Sequence, residues 1–193
     1  MEPHDIEHYL AELGTELSTR GIKKPVRMML IGGAYMLLVA NAPRTTNDID
    51  IFWLEEDALQ HALNPLRESV QAITKRHGLG PDWFNYLTQL LMQDEIIVPD
   101  GELWKCFGPL YIYVPPQKYI LALKILAGRT KDLDDCAILL PQTTIKTRQQ
   151  AQRLLEQYIL PEAREEHATQ IEYSLNELFK QQETFSKERD SEQ

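Results

Sequence analysis

Apolar and polar positions change their spacing several times in the first fifty residues. Apolar residues three and four apart predict a helix over residues 5–20 that turns one face to a core. The short apolar runs 26–31 and 48–54 predict two strands. Between them, residues 34–42 are mostly helix-forming, and Pro43 ends the predicted helix.

The middle of the chain mixes helical and extended patterns. Residues 55–77 predict two helices, because Asn64 suits an N-cap and Pro65 suits the first position of a second helix. Residues 83–93 predict a further helix, and residues 95–98 predict a short strand.

Two β-rich stretches flank a turn pair and predict a hairpin over residues 103–114 with Gly108-Pro109 at its tip. From residue 117 onward only helical patterns occur. Strands are thus few and early, and helices surround them. We therefore expect an α+β fold, with a small mixed β-sheet flanked by helices and a helical C-terminal part.

Length and composition fit one main domain with a helical appendage. The chain has 193 residues, of which 43% are hydrophobic, enough for a substantial core. We expect a domain over residues 1–140, a helical extension over 141–185 and a flexible tail over 186–193.

Charge and hydropathy exclude two classes of protein. A formal net charge of −9 disfavours a surface that binds nucleic acid throughout, because such surfaces need many cations against phosphates. A local basic patch for tRNA is still compatible with the sequence, from residues Lys23, Lys24, Arg27, Lys75 and Arg76. No apolar run approaches the length of a membrane span, and the N-terminus is acidic where a secretory signal would be basic, so we expect a cytoplasmic protein.

The cysteines and histidines lack the spacings of familiar sites. Cys106 and Cys136 show no CxxC spacing and lie in apolar or mixed sequence, which predicts two free buried thiols. The five histidines form no HxH pattern, and from the sequence we expect no zinc site.

The doublet Asp48-Ile49-Asp50 is the clearest chemical signal. In a strand the two carboxylates share one face, roughly 7 Å apart, and such a pair suits two divalent cations about 4 Å from each other. Two other interpretations are open: an exposed strand with ordinary alternation, or a carboxylate neutralised by Arg44.

Gly32-Gly33 lies between a predicted strand and a predicted helix. A glycine pair there lets the backbone approach a ligand closely, although it is also typical of a tight turn. The surrounding sequence matches neither a Walker A loop nor a GxGxxG fingerprint.

A second cluster of charged residues follows in the segment KYILALKILAGRTKDLDDCAILL. Lys124 lies within an apolar helix, so its ammonium either finds an anion, such as a triphosphate or a carboxylate, or extends to solvent. Asp132 and Asp135, in the first turns of the next helix, suit either helix capping or ligand binding.

Together, Gly32-Gly33, Arg44-x-Thr46-x-Asp48-Ile49-Asp50 and the later Lys124…Arg129-x-Lys131-Asp132-x-x-Asp135 resemble the DNA polymerase beta-type nucleotidyltransferase superfamily. Within it, the likeness is to the AbiEii toxin-like branch and its uncharacterised bacterial relatives. The segment Leu79-Gly80-Pro81-Asp82-Trp83-x-Asn85 also resembles some of those relatives, without an assigned role.

The resemblance implies roles for individual residues. Asp48 and Asp50 would be catalytic metal ligands for Mg²⁺, with Mn²⁺ as a substitute, and Lys124 a catalytic triphosphate ligand. The implied nucleotide-binding residues are Gly32, Gly33, Arg44, Thr46, Arg129 and Lys131. For a third carboxylate, the sequence offers the candidates Asp82, Glu102 and Asp132.

The implied activity is transfer of a nucleoside monophosphate from an NTP to a hydroxyl of RNA, tRNA included, or of protein. The resemblance also implies a toxin–antitoxin or antiphage component, with an antitoxin as partner. The alternative is a catalytically degenerate relative that binds nucleotide or acts as an antitoxin-like interaction protein. The sequence leaves the oligomeric state open.

Overall fold

The computed structural model describes residues 1–54, 56–86, 92 and 94–190, and their side chains except at residues 56–61 and 181–190. The elements before the hairpin are α1 (Pro3–Thr19), β1 (Val26–Ile31), α2 (Gly32–Leu38), β2 (Ile49–Trp53), α3 (Glu56–His77) and β3 (Phe84–Asn85). Those that follow are β4 (Glu102–Phe107), β5 (Leu110–Val114), α4 (Gln117–Ala127), α5 (Thr130–Gln142), α6 (Arg148–Tyr158), α7 (Pro161–Glu166) and α8 (Ala168–Asp190).

The predicted fold class is confirmed. Five strands form one mixed sheet, helices flank it, and the C-terminal part is helical. In the part of the chain that the structure describes, none of the helices has both the length and the apolar character that a membrane span requires.

The sheet has the strand order β3-β2-β1-β5-β4. The central strand β1 pairs antiparallel with β2 and parallel with β5, while β3 lies parallel to β2 and β4 antiparallel to β5. Strand β1 is buried except at Arg27, as expected of a strand covered on both faces.

The chain folds into two compact units, the first comprising Met1–Met92 and Asp100–Pro115, the second Gln93–Pro99 and Pro116–Gln193. The domain boundary that the sequence suggests at residue 140 stays a prediction. In the first unit, α1 packs on α3 and the β4–β5 hairpin through a buried stripe of residues, Ile6, Leu10, Leu13, Gly14 and Leu17.

The second unit is built around α4. Every residue of α4 from Tyr119 to Leu126 is buried, and this helix packs against α5, α6 and α8. The predicted strand over residues 95–98 is reduced to a single bridge between Ile96 and Ile159. The predicted tail over residues 186–193 falls partly in α8, and its last three residues lie outside the described part of the chain.

Two predicted helix boundaries are wrong. Residues 56–77 form one helix with Pro65 inside it, rather than two helices. Proline removes one backbone donor, but a helix held by packing tolerates that loss. The helix predicted from residue 83 does not start there, because Phe84 and Asn85 pair with β2 instead. Most of its later residues, 87–91 and 93, lie outside the described residues.

The prediction of two buried thiols is right for one cysteine only. Cys136 is buried and Cys106 is exposed, and both are free. Cys106 lies on β4, an edge strand of the sheet in which no side chain is buried.

Candidate functional site

The antiparallel pairing of β1 and β2 brings the glycine pair to the acidic doublet. Ile31, the last residue of β1, pairs with Asp50, and α2 starts immediately afterwards at Gly32. The end of one strand therefore lies beside the start of the next. The two motifs are separated in sequence by a helix and a loop, and this register makes them neighbours.

Gly32 lies directly against the carboxylate of Asp50. A Cβ atom added at Gly32 would be 2.3 Å from Oδ2 of Asp50, and the backbone of Gly32 has a φ of +63°. Only glycine adopts this conformation readily, and only glycine leaves room for the carboxylate. The backbone and the acidic group thus form one compact feature.

Gly33 makes the corresponding close approach to Thr46. A Cβ at Gly33 would lie 2.3 Å from the Thr46 hydroxyl oxygen and 3.8 Å from Nη2 of Arg44. The hydroxyl of Thr46 in turn donates to Oδ1 of Asp48 over 3.0 Å. The glycine loop, the Thr46 hydroxyl and the Asp48 carboxylate are therefore in contact one after another. Arg44 brings a positive charge beside them.

The burial pattern places the two carboxylates on one side of β2. Ile49 and Ile51 are fully buried, whereas Asp48 and Asp50 are half-buried. This alternation is what a strand with one face toward the core produces, and Asp48 immediately precedes the strand. Both carboxylates are anchored by a core yet reach solvent.

Asn85 is a site residue to which sequence reasoning assigned no role. It pairs with Asp50 in the parallel register of β3 and β2, and its Nδ2 donates to Oδ1 of Asp50 over 3.0 Å. The chain is held there by Trp83, whose buried indole donates to the hydroxyl of Thr74. The motif Trp83-x-Asn85 draws attention to Asn85 in the sequence. Its role at Asp50 becomes visible only once β3 is known to pair with β2.

The donor set fits a hard divalent cation. Asp48, Asp50 and Thr46 supply oxygen atoms, and Mg²⁺ prefers carboxylate oxygen over nitrogen or sulfur. The carboxylate of Asp50 fills the space that a Cβ of Gly32 would occupy, so it lies directly against the loop backbone. Asp48 and Asp50 are therefore the residues that would hold the metal.

The three candidates for a third carboxylate occupy different places. Asp82 is exposed in the turn before β3, three residues ahead of Asn85, and stays a candidate. Glu102 begins β4, and three strand spacings separate β4 from β2, so its backbone is about 14 Å from that strand. Asp132 belongs to the second compact unit.

In the second unit, Lys124 is buried in an ion cluster. Its Nζ lies 2.8 Å from Oδ1 of Asp132 and 2.8 Å from Oδ2 of Asp135, and all three side chains are at least nine-tenths buried. Of the two interpretations left open by the sequence, the anion is thus present, as carboxylates of the same chain. The predicted role of Lys124 at a triphosphate stays a prediction.

Arg129 completes this cluster, whereas Lys131 is exposed on the first turn of α5. Burial raises the pKa of Asp132, but hydrogen bonds from Arg129 and Lys124 outweigh it and hold the pKa below its usual value. Burial also raises the pKa of the Cys136 thiol to about 12. Asp132 is therefore ionised at neutral pH, and Cys136 is an unreactive thiol.

The comparisons with known proteins identify no family for this chain. No family model, no curated protein and no solved structure matches it.

Proposed function

We propose that this protein is a Mg²⁺-dependent nucleotidyltransferase whose site comprises Asp48, Asp50 and the Gly32-Gly33 loop. The observation that carries the proposal is the contact between Gly32 and the Asp50 carboxylate, 2.3 Å from where a Cβ would lie. This contact supports a site in which the loop backbone and a metal-binding carboxylate lie side by side. Transfer of a phosphate-bearing group requires such close positioning of the groups that bind it.

Each residue of the site has its own role in the proposed function. Asp48 and Asp50 hold the cations, while Asn85 orients Asp50 through its amide. Thr46 orients Asp48 through a hydrogen bond from its hydroxyl. Gly32 and Gly33 bring the loop backbone against Asp50 and Thr46, and this backbone would contact the phosphates, to which Arg44 offers a positive charge.

In the proposed reaction, a hydroxyl oxygen of the acceptor forms a bond to the α-phosphorus of an NTP. The bond to pyrophosphate breaks, and a base takes up the hydroxyl proton. Bound Mg²⁺ supplies charge neutralisation on the phosphates and alignment of the two oxygens. The candidate for this base is Asp82, which belongs to the first compact unit and lies three residues before Asn85 in the sequence.

The acceptor in this proposal is a hydroxyl of RNA or protein, and the setting is the bacterial cytoplasm, where NTPs are available. A toxin–antitoxin or antiphage role, with an antitoxin partner, follows from the resemblance. The net charge of −9 favours a protein or small acceptor over extended nucleic acid.

A labelled-transfer assay tests the activity. The protein is incubated with each α-labelled NTP, Mg²⁺, and total RNA or cell lysate. We expect label on an acceptor with the wild-type protein, and loss of at least about a hundredfold with Asp48→Asn or Asp50→Asn, in keeping with the loss of electrostatic stabilisation. Label that is absent, or that persists in both variants, contradicts the proposal.

The second candidate is a degenerate protein that binds Mg²⁺–NTP without turnover, or an antitoxin-like interaction protein. It is favoured by the positions of Glu102 across the sheet and Asp132 inside an ion cluster. Calorimetry with Mg²⁺ and NTP separates the two. Binding that depends on Asp50, without transfer, supports the nucleotide-binding protein, and no binding leaves only protein interaction.

A further inference from the structure

A second group of metal-binding side chains occurs where α1 and α3 pack together. His8 and Glu12 are one helical turn apart on α1, and His77 is the last residue of α3. Their ligand atoms all lie within 4.8 Å of one another. None of the three belongs to the glycine–aspartate site.

The distances from Glu12 to the two imidazoles match the edges of a tetrahedron around one metal ion. Nε2 of His8 lies 3.3 Å from Oε1 of Glu12, and Nε2 of His77 lies 3.0 Å from the same oxygen. Ligands bound about 2.0–2.1 Å from a tetrahedral zinc ion are about 3.3 Å apart. Only a small side-chain adjustment separates the observed cluster from a coordinated one.

From this geometry we propose that His8, Glu12 and His77 bind one divalent cation of the zinc class. Two imidazole nitrogens and one carboxylate oxygen are the donors that Zn²⁺ accepts, whereas Mg²⁺ prefers oxygen alone. The ligand side chains are 57%, 22% and 27% exposed, so a cation reaches them from solvent and keeps a position for water.

The neighbouring arginine does not occupy the proposed position. Arg76 binds Oε2 of Glu12 over 2.9 Å and Oε1 of Glu16 over 2.6 Å. Oε1 of Glu12 contacts both imidazoles, whereas Oε2 contacts Arg76 and His77. Arg76 therefore fixes the carboxylate through Oε2 and not through Oε1, and Glu16 offsets part of the arginine charge.

A metal ion competes with protons for the imidazole nitrogens of the cluster. In the metal-free cluster, Nε2 of His77 shares a hydrogen bond with Glu12. A metal ion bonded to Nε2 of His77 or of His8 displaces any proton on that nitrogen, and the proton passes to the solvent. The carboxylate is already ionised: burial raises the pKa of Glu12, but hydrogen bonds from His77 and Arg76 bring it below the usual value.

The cation would join the N-terminal half of α1 to the C-terminal end of α3. Binding to the folded chain alone raises its stability by mass action. The sequence does not reveal this site, because 65 residues separate Glu12 from His77. Only the packing of two helices creates it.

Titration of untagged, chelator-treated full-length protein with ZnCl₂ tests the proposal by calorimetry, with Co²⁺ absorption as a second readout of coordination. The variants are His8→Ala, His77→Ala and Glu12→Gln, and the control is His167→Ala. His167 belongs to the second compact unit and contacts Glu95 rather than the cluster.

We expect one zinc ion per chain, at least about tenfold weaker binding in each of the three variants, and unchanged binding in the control. Zinc should also raise the Tm of the wild-type protein but not that of His77→Ala. Circular dichroism without metal verifies that each variant is folded. No zinc binding by the wild-type protein, or equal binding by all folded variants, overturns the proposal.

Discussion

At the residue scale, position 32 requires glycine for two reasons, its backbone conformation and the space that Asp50 occupies. Its φ of +63° is unfavourable for any residue with a side chain, and a Cβ would collide with Oδ2 of Asp50. Gly21 meets the first demand alone, because it has a φ of +82° and nothing within 4 Å of a built Cβ. A comparison of substitutions at the two glycines therefore distinguishes the cost of backbone strain from the cost of a steric clash.

We expect Gly21→Ala to lower the free energy of unfolding by about 1–2 kcal/mol, the cost of the left-handed conformation. Gly32→Ala should cost about 1–3 kcal/mol more, because it also displaces a carboxylate. Urea unfolding of both variants measures the difference. Equal losses would mean that Asp50 moves aside freely and that the contact is unimportant.

The two cysteines should differ strongly in reactivity. Cys106 is exposed, whereas burial raises the pKa of Cys136 to about 12 and leaves its thiol protonated and covered. We expect a maleimide to label one cysteine quickly under native conditions and both after denaturation. Mass spectrometry of digested protein assigns the label, and rapid native modification of Cys136 would contradict the burial described here.

At the scale of elements, the ion cluster of Lys124, Asp132 and Asp135 joins α4 to α5. Each aspartate carboxylate lies 2.8 Å from the ammonium of Lys124, inside a region that excludes water. A buried pair of this kind contributes little net stability compared with apolar residues, yet removal of one partner leaves uncompensated charge.

We expect Lys124→Ala to lower the free energy of unfolding by about 3–5 kcal/mol, because both buried carboxylates lose the ammonium that they contact, although Arg129 stays paired with Asp132. Lys131→Ala, at an exposed position seven residues later, should change it by less than about 0.5 kcal/mol. Denaturant unfolding at neutral pH measures both variants. A loss below about 1 kcal/mol for Lys124→Ala would show that the cluster is not closed to water.

Acid should weaken the same cluster. The pKa of Asp132 is below its usual value of 3.8 in the folded protein. Its ionised form therefore stabilises the fold above that value, and this stability is lost as the pH falls toward the folded pKa. Asp132→Asn should accordingly show a smaller decrease in unfolding free energy below about pH 5 than the wild-type protein, as denaturant unfolding across that pH range would measure.

At the scale of the whole molecule, local pattern was sufficient for most elements. The strands near Met28 and Ile51, the hairpin around Gly108 and the helices from residue 117 follow from periodicity and turn residues. The fold class then follows from their order along the chain. These are features in which the signal lies within one element.

The errors arose where distant parts of the chain decide the structure. Pro65 stays inside a helix because packing outweighs the missing donor, and Phe84-Asn85 becomes a strand because it pairs with the edge of β2. The glycine–aspartate neighbourhood was predicted by motif. The Asn85 contact and the His8–His77 approach were not, since each requires knowledge of which elements adjoin.

The central claim is that the Asp48–Asp50 strand and its glycine loop transfer a nucleoside monophosphate. Parallel incubations with α-labelled and γ-labelled NTP test it most directly, using the wild-type protein and Asp50→Asn in the presence of Mg²⁺ and lysate. We predict that the α-label appears on an acceptor, that the γ-label appears in pyrophosphate, and that Asp50→Asn abolishes both. Transfer of the γ-label to the acceptor, or no transfer of either label, would contradict the claim.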